Sequence, residues 1–135
     1  MIVTPLYAGL LVFWFLLLTL RVVQERHRTR ISLGDGGDAT LHRCIRGHAN
    51  FAEYVPLALL LLAILELSRF SIYVIHALGA VLLVSRLLHG YAFAFRTQFR
   101  FGVFWGVLLT VVVLTVEALL CLYQAYRGHL VWFAT

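Results

Sequence analysis

Four long apolar runs, separated by short polar breaks, make up almost the whole chain. They cover about 2–23, 41–67, 72–95 and 101–126. A helix needs about 20 mostly apolar residues to cross a bilayer, and each run has them. None of the runs alternates with a period of two, and only helices and closed barrels satisfy their backbone in lipid. The runs therefore predict helices. The charged stretch Glu25 to Arg30 prolongs the first one into water, so the predicted helices are about 2–30, 41–67, 72–95 and 101–126. Gly34-Asp35-Gly36-Gly37-Asp38 marks a loop between the first two. The breaks at 68–71 and 96–100 are so short that the helices they join should be antiparallel neighbours, and Ser71 is placed to cap the third.

Composition sharpens this picture. Apolar residues make up 62% of the 135 and charged ones 13%. Soluble domains hold about 45–50% and about 25% respectively. So short a chain has no core large enough for the excess, and a bilayer is the solvent that takes it. The expectation is one domain, 1–135, an all-α membrane protein built as a four-transmembrane-helix bundle. The first segment lacks a charged n-region and a cleavage site and is expected to be retained. Cys44 and Cys121 lie in different runs without metal-like spacing and are read as small apolar residues, with no metal.

All 11 basic residues are arginine, which suits a fixed bidentate grip on carboxylates. Several lie within or against the apolar runs, which argues against nucleic acid. Arg26, Arg28, Arg30, Arg43, Arg46, Arg96 and Arg100 collect at one membrane face, with Arg21 near it, while Arg69 and Arg127 lie at the other. The positive-inside rule puts the arginine-rich face in the cytoplasm and both termini on the far side. Trp14 and Trp105 fall inside spans, and Trp132 reads as an interfacial anchor.

The second run carries the chemistry. Arg43, Arg46, Asn50 and Glu53 follow at steps of three, four and three, which puts them on one helical face. One charge at the bilayer centre costs at least about 2.5–3.5 kcal/mol. Such residues face a bundle interior or a wet cavity, paired with each other or with a ligand. One reading is a structural network in which Glu53 neutralises Arg46 or Arg86. Arg86 is expected to be the ionic partner of Glu53, and His89 shares its face. Glu117, deep in the fourth run, is expected either to pair across helices or to be protonated. Arg100 opens the fourth helix, where a snorkelling anchor is the plain reading.

The run Arg43-Cys44-Ile45-Arg46-Gly47-His48-Ala49-Asn50-Phe51-Ala52-Glu53-Tyr54-Val55-Pro56 resembles the signature of the MAPEG family, the membrane-associated proteins in eicosanoid and glutathione metabolism. That signature is an arginine, an asparagine four on and a glutamate three further, often followed by tyrosine and proline. Leu20 to Ile31 looks like the arginine-rich end of the family's first helix. Arg86 and His89 match its third-helix pair, and Arg100 matches the arginine that opens its fourth. Length and the glycine loop are most similar to the small bacterial branch.

The resemblance implies a homotrimer in the bacterial inner membrane, with glutathione as co-substrate in pockets between subunits. It implies that Arg26, His27, Arg46, His48, Asn50, Glu53, Tyr54 and His89 hold the tripeptide. Arg100 would activate its thiol; Arg86 and Arg43, by contrast, are read from the residue pattern as members of structural ion pairs. Arginines suit the two carboxylates, Glu53 the ammonium, and a guanidinium stabilises thiolate. The thiolate would attack a lipophilic electrophile or lipid hydroperoxide arriving from the bilayer. Phe93 and Phe104 stand where some members carry tyrosine, and His27 replaces an arginine. The expected activity is a glutathione-dependent transferase or peroxidase. The alternatives are a non-enzymatic protein of the same fold that binds lipid or a partner, and a small transporter, although no span is broken by glycine–proline pairs.

Overall fold

A computed structural model describes the backbone of residues 1–96 and 98–134 and side chains through 129, apart from 97. It contains α1 (Val3–Thr29), α2 (Ala39–Leu67), α3 (Ile72–Ala94) and α4 (Arg100–Ala134). All four are long and apolar enough to cross a membrane. They form an up-and-down bundle in which α2 and α3 lie between α1 and α4, which do not touch each other among the described residues. Large apolar side chains cover the outside, Phe13, Leu60, Phe104 and Leu122 among them. In water that surface would aggregate; in lipid it is the solvated one.

The helix ends follow local chemistry. α1 ends at Arg30 in the left-handed conformation (φ 58°), and the turn beyond it needs positive φ again at Gly36, where a Cβ would run into the Ile31 side chain. α2 starts two residues before its apolar run because the Asp38 carboxylate accepts the Leu41 amide at 2.8 Å. Both Asp38 oxygens also accept from Arg28, at 3.0 and 2.9 Å. Arg28 in turn pairs with Glu25 at 2.6 Å, and Glu25 with Arg21 at 3.1 Å. These links tie the end of α1 to the start of α2. Pro56 sits inside α2 without ending it. Ser71 occupies the N-cap position of α3 but its side chain makes no capping bond, so that expectation is corrected. α4 runs on past the predicted end at 126 to Ala134, since the stretch holds no proline and its one glycine, Gly128, weakens a helix without ending it. Trp132 lies outside the residues whose side chains are described.

At the opposite end, Glu66 caps α1 from the last turn of α2. Its carboxylate accepts the amides of Ile2, of Val3 at 2.8 Å and of Thr4 at 2.8 Å. An anion on the unsatisfied amides of a helix start satisfies them and the helix dipole together. In the middle, α3 and α4 pack backbone to backbone. A Cβ at Gly106 would stand 2.6 Å from His89 Cβ and 2.9 Å from its main chain.

Two outcomes follow. Gly106→Ala must push α4 away from a main chain that cannot yield, and overpacking of this kind costs about 1–3 kcal/mol. Its melting temperature in detergent should fall clearly, while Gly9→Ala, with open space around it in the interior of α1, should not lower the melt and, by helix propensity, should raise it slightly. Hydrogen bonds from Leu41 and Arg28 hold the Asp38 carboxyl below its ordinary value of 3.8. A depressed folded value means the stabilisation is complete above that ordinary value and is lost as pH falls through the folded one. Amide protection in the first turn of α2 should therefore be full at neutral pH and drop below pH 3.8, as hydrogen exchange would show.

Candidate functional site

The centre of the site is a buried guanidinium. Arg86 is 2% exposed. One of its terminal amino groups donates to Asn50 Oδ1 at 2.9 Å, and the other to the Gly106 carbonyl at 2.9 Å and to the Thr110 hydroxyl. The Thr110 oxygen is also 2.7 Å from the Gly106 carbonyl and 3.1 Å from the Ser85 hydroxyl. Arg86 Nε is buried with no hydrogen-bond partner among the described residues. Neutral oxygens from α2 and α4 therefore hold a charge that belongs to α3.

This corrects the expected ion pair between Arg86 and Glu53. Glu53 lies on the outer side of α2, 52% exposed, and its carboxylate is 4.0 Å from Arg46, itself 52% exposed. Asn50 is the stripe residue that turns inward. Arg43 forms no ion pair either among the described residues. It donates to the carbonyls of Ala92 and Arg96, both at 2.7 Å, and lies over the Phe93 ring. In both cases the guanidinium is bonded to main-chain, amide or hydroxyl oxygens rather than to a carboxylate among the described residues.

The stripe opens on the α2/α4 edge of the bundle. Asn50, Tyr54, Arg86, Val107, Thr110 and Val111 line a cavity of about 30 Å³ there. Tyr54 is 38% exposed at its mouth. Thus Asn50 and Tyr54 come together with Arg86 at this cavity, while Arg46 and Glu53 pair with each other on the exposed side of α2. The other candidates do not join them within one protomer. His48 faces α1, 3.1 Å from the Thr19 hydroxyl and stacked on Phe15. His89 is buried against Phe93. Arg26 donates to the carbonyls of Ile31 and Gly34 in the α1–α2 turn. His27 is exposed in the last turn of α1, and Arg100 is exposed at the first residue of α4.

Thr110, Ser85 and Gly106 escaped the sequence reading. The signal for them was the repeat of small residues Gly102, Gly106 and Thr110 every fourth position along α4, a spacing that lets membrane helices approach closely. Glu117 is fully buried, and neither carboxyl oxygen has a hydrogen-bond partner among the described residues; the expected cross-helix pairing finds no partner there. Cys44 and Cys121 are both free thiols, as two small apolar residues would be.

Comparison with known proteins agrees with this architecture. Over 94 residues the chain is 37% identical to the inner membrane protein YecN of Escherichia coli K12, covering 70% of this chain and 72% of that one. The same protein from Escherichia coli O6:H1 matches to the same extent. The MAPEG family profile matches residues 4–123, which takes in the stripe of α2, Arg86 and Arg100. This chain, four membrane-spanning helices around a buried arginine, belongs to the MAPEG family.

Proposed function

We propose that the protein is a membrane-embedded glutathione-dependent transferase or peroxidase acting on lipophilic electrophiles or lipid hydroperoxides. The observation that carries this reading is the α2 stripe, in which Arg46 and Glu53 pair on the exposed side of the helix while Asn50 and Tyr54 line a cavity with buried Arg86. That donor set fits a zwitterionic tripeptide with two carboxylates and one ammonium. Arg46 grips a carboxylate, Glu53 the ammonium, and Asn50 and Tyr54 orient the backbone. The buried Nε of Arg86 adds positive potential behind them.

The cavity size supports a site completed by another copy. About 30 Å³ holds one or two waters. A tripeptide needs a wall that a single protomer does not supply. The end of α1, with Arg26 and His27, does not reach α4 of its own bundle, so it is a natural donor of that wall to a neighbour. The assembly proposed is a homotrimer with pockets shared between subunits. His48 and His89 support the site from behind, by packing.

Arg100, exposed at the start of α4, combines its own charge with the positive end of the helix. It stabilises a thiolate placed at that face, which is the species able to attack. The arginine-rich end faces the cytoplasm and both termini the other side, in an inner membrane like that of the bacterial relative.

A non-enzymatic reading has one observation in its favour. Arg46 and Glu53 already partner each other at 4.0 Å. Calorimetry in detergent separates the two readings. Glutathione should bind the wild type, and Glu53→Ala should weaken it by roughly ten- to a hundredfold, the usual effect of removing a charged hydrogen-bond partner. No heat of binding in the wild type would favour the non-enzymatic reading. For Arg100→Ala, the thiolate absorbance of bound glutathione should vanish and conjugation of a chloronitroarene should fall by roughly a hundredfold or more. An unchanged thiolate signal would remove Arg100 from the mechanism.

A further inference from the structure

On the edge of the bundle opposite the α2/α4 stripe, α1 and α3 leave a second opening. Its floor is set by Trp14. The indole donates to the Arg86 carbonyl at 3.0 Å and lies on Gly90, where a Cβ would come within 2.6 Å of the ring nitrogen. Beside this contact, Trp14, Leu87, Leu88, Tyr91 and Phe99 line an apolar trough of about 420 Å³. Tyr91 and Phe99 also wall a cavity of about 370 Å³, completed by Arg96 and Gln98. The two openings meet at the edge-to-face pair Tyr91–Phe99, whose ring centres are 6.0 Å apart. The lining thus passes from apolar to cationic across one pair of rings.

Arg96 is exposed, just beyond the end of α3, where Arg43 and Arg100 also lie. Its Nε donates to the Tyr91 hydroxyl at 3.2 Å, which holds the guanidinium at the rim. Its two terminal amino groups make no hydrogen bond among the described residues. Leu87 is nine positions earlier on α3, roughly 13 Å deeper at 1.5 Å per residue. A cation at headgroup level above a trough that runs down into the hydrocarbon has the layout of a phospholipid.

We infer that this groove binds an anionic phospholipid, with its phosphate on Arg96 and an acyl chain in the trough between Trp14, Leu87 and Leu88. A phosphodiester offers the paired acceptors that a guanidinium fork prefers. A second protein copy is a poorer occupant, because sealing an unpaired guanidinium in a protein interface leaves a buried charge uncompensated. A zwitterionic lipid carries its own cation beside the phosphate and gains less. The inference stands apart from the glutathione reading, since the two sites lie on opposite edges of the bundle.

Tryptophan quenching tests it. Full-length protein with Trp105→Phe and Trp132→Phe keeps Trp14 as its reporter. It would be reconstituted in phosphatidylcholine vesicles containing a fixed fraction of either brominated phosphatidylglycerol or brominated phosphatidylcholine. The anionic lipid should be preferred at Trp14 by roughly fivefold, with the preference shrinking at high salt. Arg96→Gln should abolish that preference, Arg96→Lys should keep most of it, and Arg127→Gln, at the other face, should not alter it. Equal quenching by the two lipids would overturn the proposal, as would a preference that survives in Arg96→Gln. Quenching by neither lipid would also overturn it, because another chain would then cover the groove.

Discussion

A guanidinium at membrane depth has to be surrounded by oxygens, and the bundle is arranged around that demand. Arg86 finds them on two neighbouring helices, as Asn50 on α2 and as the Gly106 carbonyl and Thr110 hydroxyl on α4. The charge binds three helices in one register. It also demands that α4 come close, and the bare Cα of Gly106 against His89 makes that possible. A buried charge held by neutral oxygens is costly to build and costlier to break. Here the cost is met by many partners, with Nε left over.

The outward face of α2 adjoins this network. Asn50 reaches inward to Arg86, while Arg46, Glu53 and Tyr54, one turn to either side of it on the same face, stay exposed at the bundle surface. The inward amide of the structural network and the exposed side chains proposed to bind the tripeptide belong to one stripe. The two readings of the stripe are therefore not exclusive: its inner residue serves the fold and its outer residues remain exposed.

α1 is attached differently. Glu66 holds its start through three main-chain amides, and the chain of ion pairs from Arg21 to Asp38 holds its end. Between those fastenings it packs, among the described residues, on α2 and α3 alone. Both outer edges of the bundle are consequently grooved: the α2/α4 edge is lined by the stripe, and the α1/α3 edge by Trp14 and the aromatic residues near Arg96. A membrane protein with two such edges can meet another copy on one and lipid on the other.

The four helices and their order were legible from the sequence, because helices are the open structure lipid allows and each apolar run is long enough to cross. The stripe was legible too, since residues three and four apart must share a helical face. The small residues of α4 left a visible spacing but no reason to connect it with Arg86. Which oxygen each charge would choose was settled only by the tertiary structure. Sequence spacing counts carboxylates as the natural partners of arginine, yet Arg86 and Arg43 took amide, hydroxyl and carbonyl oxygens that packing brought nearer. Glu66, unremarkable in the sequence, became the cap of a helix more than sixty residues away. Periodicity constrains one helix at a time, while partners across helices depend on how closely two backbones approach, and that is a property of the whole bundle.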